Sequence, residues 1–441
     1  MGLTIWQEFQ IAAMQAFRTL VPEPQDRIPV SWHTAPYTFM QTIPFIFMAY
    51  LARRPNTRVM RVLMLPTLIT TALHSAFGYV WQDPRLNVYN WGASLSAFVI
   101  IAKGLDMAFA PYGTLKQGEA TSAAGSMKEP AVSAKKDADA PGDEQSQQRP
   151  GSSFIPAWLE DAFEIMFAIR GIGWDFGRGV YIPKETRPLD RPSFLRETLV
   201  SFIAHYLLLD FFESLLKLVP GVGHPLGGSI FFSSLPPLQR YALSTSIHFL
   251  TGCALLAGFH MVYDLCTVIA VGLLGHSPTA WPPVVENPWG AQSLHEFWAK
   301  RWHQLLRQTF LVFGGIPGYV LFGNIGLVLG TFLASGLFHE CTIYAMGRGW
   351  EWRVPMFFMM QGFSVIGERI WKMITGRRVG GFLGRVWVYF DIVILAQPLV
   401  DSWHRRGLAG GMVIPPPISP MRQIIFPLVL PTVRRLTGLP V

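Results

Sequence analysis

Half of the 441 residues are hydrophobic and only 15% are charged, and mean hydropathy is positive at +0.30, a balance that excludes an ordinary water-soluble domain. The formal net charge of +8 favours anionic surfaces or ligands, such as lipid headgroups or a phosphorylated cofactor, and in so apolar a chain it argues against nucleic acid. Cys253, Cys266 and Cys341 stand in apolar stretches with no CxxC arrangement, which points to neither a disulfide framework nor a zinc site.

The first segment, MGLTIWQEFQIAAMQAFRTL, carries Glu8 and Arg18 and lacks the long apolar core of a secretory signal, so residues 1–30 are expected to hold an interfacial amphipathic helix. Crossing ~30 Å of hydrocarbon takes about 20 apolar residues. Stretches near that length at 35–52, 59–81 and 91–112 predict a first transmembrane bundle over residues 31–112. Residues 113–153 are rich in Ala, Ser, Pro, Lys and Asp and poor in large apolar side chains, the composition of a disordered linker. Arg53, Arg54 and Arg58 favour a cytosolic first loop, which puts that linker and loop 276–308 in the cytosol as well.

Residues 154–192 read as an amphipathic and loop segment. Within it, PAWLEDAFEIMFAIR (156–170) sets Glu160, Asp161 and Glu164 opposite an apolar face, as in a helix lying on the membrane surface. Further spans at 195–219, 240–273, 319–346, 354–374 and 386–401 place the rest of the membrane region in residues 193–441. The expectation is an all-α, polytopic integral membrane protein with about 8 transmembrane helices. No repeat of solenoid period is visible.

The segment SLHEFWAKRWHQLLRQTF (293–310) is the most informative. Leu294, Phe297, Trp298, Trp302, Leu305 and Leu306 recur at helical spacing, and the opposite face holds Glu296, Lys300, His303 and Arg307. Two cations flanking an imidazole at the cytosolic boundary can hold an anionic cofactor; an interfacial helix with headgroup-level Trp and lipid-bound Lys and Arg is the alternative. The uncharged run from Gln308 to Phe338 follows. GGIPG (314–318) should break it, because Pro317 lacks an amide hydrogen and glycine is permissive, leaving a first part too short to span that re-enters instead.

Beyond that break Gly326, Gly330 and Ala334 repeat every four residues, the spacing that lets another helix approach closely. The same helix carries ASGLFHE (334–340), with His339 about 13 Å along a helix from Arg348 and its interface. An imidazole at that depth is a functional candidate, with a neutral histidine bonded to a neighbouring helix as the alternative; Glu340 is its partner or another satisfied polar group. His295-Glu296 and His339-Glu340 lack the second histidine of HExxH and no GxSxG is present, so neither metal hydrolysis nor a serine triad is indicated.

FWAKRWHQ (297–304) and ASGLFHE (334–340) together closely resemble the wax-synthase-like branch of the membrane-bound O-acyltransferase family, with a core at about 285–346. Within it the chain looks most like fungal enzymes of terpenoid and meroterpenoid pathways that acetylate hydroxyl groups from acetyl-CoA. The resemblance implies an endoplasmic-reticulum protein with a reactant tunnel through its helical bundle, in which CoA enters from the cytosol and a lipophilic alcohol from lipid or the opposite side. It places the family's invariant histidine at His339 and the second polar active-site position, asparagine in many members, at His303. Residues 193–441 then form the catalytic region.

The chemistry implied is direct transfer: His339 takes the proton of the acceptor hydroxyl as its oxygen attacks the thioester, and His303 donates to the developing oxyanion. Lys300, Arg301, Trp302 and Arg307 are the expected acyl-CoA contacts, the cations being equally able to act as topology determinants. RGIGWDFGRG (170–179) is expected to be a surface turn, and Glu368, Arg369 and Lys372 to snorkel. His205 with Asp210, and His248, His260 and Asp391, are expected to line the tunnel or bond between helices. A long-chain wax-ester synthase is the nearest alternative; a secondary transporter or a lipid-binding receptor would be of another class, and the absence of inverted repeats weighs against transport.

Overall fold

The computed structural model describes residues 4–119 and 156–437, so most of the expected linker lies outside the described residues. The chain is almost wholly helical. Its single sheet among the described residues is a parallel pairing of Ile28–Pro29 with Tyr79–Val80. Six stretches are long and apolar enough to cross a membrane: Arg58–Phe77, Pro84–Phe109, Arg191–Leu218, Pro237–Gly272, Arg307–Tyr344 and Gly381–Arg405. The protein is therefore an integral membrane protein.

Helix α1 (Ile5–Leu20) starts with a reciprocal cap between Thr4 and Gln7 and buries none of its residues, leaving Trp6, Phe9 and Phe17 outward. The expected span at 35–52 is only α2 (Thr42–Ala52), whose 11 residues reach about 16 Å and cannot cross. It packs instead into a core with α3 (Arg58–Phe77), α4 (Asn87–Phe109) and α5 (Ala157–Phe167), built on Met48, Leu68, Met107 and Ile165. The apolar face of α5 is thus covered by protein, and Lys116 holds its Glu164 at 2.7 Å. Residues 113–119, expected within the linker, are packed: Lys116 bridges to Trp174, and Glu119 binds Arg53, which is 1% exposed.

The second part begins with α6 (Arg191–Leu218) and α7 (Pro237–Gly272). Leu209 meets Gly258 and Leu195 meets Gly272, so the two run antiparallel. Helix α8 (Leu294–Glu296) and α9 (Arg307–Phe310) flank the motif segment. The next chain segment does not break at GGIPG. Leu311–Gly315 is a wide π turn that runs on into α10 (Ile316–Tyr344), and the reversal comes at Phe322 (φ −137°, ψ 18°) and Gly323 (φ 59°, ψ −143°).

The two limbs fold back as a hairpin symmetric about Phe322. Gly314 abuts Gly330 and Gly318 abuts Gly326, backbone to backbone. The small-residue stripe therefore receives the chain's own preceding limb, which at about 22 Å is too short to span. Helix α11 (Arg353–Thr375) packs antiparallel on α10 through Gly336 against Pro355 and Gly362 against Phe332. It has the length to cross, but Arg353, Glu368, Arg369 and Lys372 keep it outside the six apolar spans. Helix α12 (Gly381–Tyr389), a π segment at Phe390–Leu395 and α13 (Gln397–Arg405) close the bundle, and α14 (Phe426–Thr437) follows.

Candidate active site

The motif segment is not the continuous helix its periodicity predicts. Ser293 caps α8 by accepting from the Glu296 amide at 3.0 Å, while Glu368 on α11 accepts from the Leu294 and His295 amides at 2.7 and 3.0 Å. Phe297–Arg301 then widens into a π turn, and Trp302 is extended. Gln304 holds the break open by donating its side-chain amide to the Trp298 and Trp302 carbonyls at 2.8 and 3.0 Å. Side-chain partners thus replace the helical ladder, and Glu296, Lys300, His303 and Arg307 do not form one stripe. Glu368, expected to snorkel, is a capping group.

The expected cofactor residues separate accordingly. Arg301 is held by Glu296 at 2.7 Å and by the Asn287 carbonyl at 3.2 Å, which ties down the loop before α8. Lys300 lies over the Tyr181 ring at 5.7 Å. Trp302 and Arg307 line a partly open cavity of about 290 Å³, and the Arg307 side chain has no ion pair or hydrogen bond among the described residues.

His303 and His339 line that same cavity, whose walls come from α7, the motif segment, α10, α11 and the chain from Val388 to Trp403. The break at Trp302 is what turns His303 inward, where its ring meets Phe259 at 4.5 Å. Burial, reinforced by the nearby His339, pushes the His303 pKa down to about 3, so its ring is neutral at working pH. Its Nδ1 is enclosed without a partner, which leaves Nε2 as the atom open to the cavity. His339 is clamped by rings: Phe358 stacks on it at 4.9 Å and 15°, and Phe310, Phe338 and Trp403 complete the cage. Neither of its nitrogens is hydrogen-bonded among the described residues.

Glu340 is not the partner of His339. It takes Arg406 in a bidentate pair at 2.5 and 2.8 Å and accepts from the Glu351 amide at 2.7 Å, with both charged side chains almost fully buried. That pair fixes the end of α13 to the helix bearing His339. Trp298 donates to Gln361 at 2.9 Å, and Gln361 to Asp391 at 2.6 Å, a buried chain that fixes the far wall. Of the other polar residues, His205 pairs with Asp264 at 3.2 Å and not with Asp210, which holds Ser419 and the Met421 amide. Arg170 bonds the Pro282 and Pro283 carbonyls and Tyr263, so the turn at 170–179 is anchored rather than superficial.

Sequence reading missed Phe358 and Trp403, because only chain reversal brings them to His339 and nothing in an apolar stretch marks one aromatic from the next. It missed the capping role of Glu368, for which its place on the helix face toward α8 is a signal only once the packing is known.

The fold and the site define a helical membrane protein that encloses two histidines in one apolar cavity. Residues 281–360, which contain both motifs, match the Membrane bound O-acyl transferase family. The chain is 30% identical to the O-Mevalon transferase yanI of Aspergillus niger over 43% of its own length and 46% of the relative's. It is 28% identical to the acetyltransferase sirH of Emericella nidulans over 55% and 59% of the two, and 24% identical to the acetyltransferase eriL of Hericium erinaceus over 62% and 74%. The matched stretches span about half the length of the first two of these relatives.

Proposed function

We propose that the protein is an acyl-CoA-dependent O-acyltransferase of the endoplasmic-reticulum membrane, transferring acetyl from acetyl-CoA to a hydroxyl of a lipophilic, terpenoid-like alcohol. The observation that carries this reading is that His303 and His339 line one largely apolar, partly open cavity. The names of the fungal acetyltransferases favour acetyl over a long acyl chain.

In this reading a ring nitrogen of neutral His339 accepts the hydroxyl proton as the alcohol oxygen bonds to the thioester carbon. General-base help of this kind is typically worth about 10²- to 10⁴-fold. The oxyanion that forms accepts a hydrogen bond from Nε2–H of His303, a donor that stays neutral. The carbon–sulfur bond then breaks, the ester leaves, and the His339 proton passes to the thiolate to give free CoA. Arg307, whose side chain lines the cavity and is unpaired among the described residues, is the cation proposed to meet CoA, with Lys300 beside Tyr181 as a second contact; Arg301 supports the loop.

Microsomes bearing the protein, given labelled acetyl-CoA or palmitoyl-CoA with a panel of terpenoid and long-chain alcohols, test the assignment. Labelled ester from the acetyl donor is expected with the wild type and its loss with His339→Ala. Ester formation undiminished in that variant overturns the base.

A further inference from the structure

A cluster of unpaired charge lies outside the histidine cavity, where α11 turns into α12. Arg369, Lys372, Arg377, Arg378 and Arg385 are all exposed, and none of their side chains has an ion pair or hydrogen bond among the described residues. The carboxylates nearby are already taken. Glu368 accepts from the Leu294 and His295 amides and from the Trp387 indole at 3.2 Å, and Glu296 holds Arg301. The field of the cluster reaches α8, where burial and then Arg369, Lys300 and Arg378 hold the His295 pKa below its ordinary value against the pull of Glu368.

The same turn walls an open groove of about 440 Å³ that shares no lining residue with the histidine cavity. Phe363, Trp371, Val379 and Trp387 line it, and Gly367 leaves a recess where an added Cβ would meet nothing. Met373, Ile374, Phe382 and Leu383 stand largely exposed among the cations. Apolar side chains interleaved with Lys and Arg at the start of a membrane span mark the level where hydrocarbon gives way to headgroups. A soluble anion would use the charges and leave the groove empty, and an uncharged lipid would use the groove and leave the charges unmet. An anionic phospholipid uses both.

We infer that this turn is a binding site for an anionic phospholipid, with one acyl chain in the groove and the headgroup met by Lys372, Arg377 and Arg378. The inference does not depend on the acyltransferase reading. A Lys or Arg near the membrane surface is worth about five-fold in affinity for an anionic lipid.

The test uses the full chain in vesicles of phosphatidylcholine and phosphatidylserine, with bromine on the acyl chains of one lipid or the other. Bromine quenches an indole it touches, and the difference between wild type and Trp371→Phe isolates the ring in the groove. Trp371 is expected to be quenched by brominated phosphatidylserine at a fraction at least about five-fold lower than by brominated phosphatidylcholine. Replacing Lys372, Arg377 and Arg378 together by Gln should abolish that preference, and Arg378→Gln alone should cut it about five-fold. Gly367→Leu fills the recess and spares the cations, so it should abolish the preference as well. Diffuse attraction by a basic surface predicts instead that the preference survives Gly367→Leu. That survival, equal quenching by the two lipids in the wild type, or displacement of the serine lipid by acetyl-CoA overturns the inference.

Discussion

His303 is the residue at which chemistry and electrostatics can be separated. Its ring is held neutral down to about pH 3 by burial and by His339, so it can donate a hydrogen bond but cannot serve as a proton donor at working pH. An amide can do the same. His303→Asn is therefore expected to keep kcat within about tenfold, while His303→Ala, which leaves the oxyanion without a donor, should lose about 10²- to 10³-fold. The pH–rate profile between 5 and 8 should be the same in wild type and His303→Asn, since the acid form of His303 is not populated there. Stability moves in the opposite sense to that of a histidine whose pKa is raised by an acidic partner. The unfolded histidine titrates near 6.5 and the folded one near 3, so the folded state is fully favoured above about 6.5 and loses stability as pH falls toward 3. Thermal melts from pH 7 to pH 5 should show a smaller loss for His303→Asn; an equal loss would mean that burial does not depress this ring. At this scale the two histidines are legible in the sequence because each sits in a motif of unusual residue types. Their supports are not: Phe358 and Gln361 stand in an ordinary apolar stretch, and Trp403 and Arg406 lie more than 60 residues beyond His339, where only the fold brings them back.

Among the elements, the hairpin of the 307–321 limb and the rest of α10 decides where His339 sits. Its closeness depends on four glycines, since a Cβ on Gly314 would overlap the Gly330 carbonyl oxygen and one on Gly318 that of Gly326. The turn itself needs Gly323, whose φ of 59° with ψ of −143° is open only to glycine. Gly330→Val is accordingly expected to separate the limbs and to destabilise the fold by about 1 to 3 kcal/mol or more, with activity falling in step. Gly367→Ala, where an added Cβ meets nothing, is the control expected to leave both unchanged. Equal melting temperatures for the two variants in detergent would contradict the glycine contacts. The stripe Gly326, Gly330 and Ala334 was readable as a close-packing face, because small-residue spacing has one physical use in a bilayer. Its partner was not readable, and the break was misplaced at GGIPG: Pro317 falls just after the π turn Leu311–Gly315, and the helix runs through it to Phe322. The π turns at Phe297–Arg301 and Leu311–Gly315 likewise have no signature in a pattern that assumes 3.6 residues per turn.

For the molecule as a whole, the cavity exists only where α7, α10, α11 and α13 meet, and the buried Glu340–Arg406 pair keeps the last of these against the second. Hydropathy foretold the membrane bundle, yet it counted α2 as a span, because an apolar stretch can be sheltered by protein as well as by lipid. The shared cavity has a kinetic consequence. If donor and alcohol occupy it together, transfer is direct, and initial-rate plots against acetyl-CoA at several alcohol concentrations should intersect rather than run parallel. The rival is an acyl-enzyme, and the one hydroxyl placed to form it is Ser335, which lines the cavity one turn before His339 on the same helix. Thr251 and Thr331 are engaged with the Ile247 and Leu327 carbonyls, but Ser335 has no hydrogen bond to His339, the contact an activated serine requires. Ser335→Ala should therefore retain kcat within about tenfold, far from the 10⁴-fold or greater loss that removal of a nucleophile brings. Parallel plots together with an inactive Ser335→Ala would replace direct transfer by a two-step route through an acyl-serine, in which His339 would still act as the base but on a different oxygen.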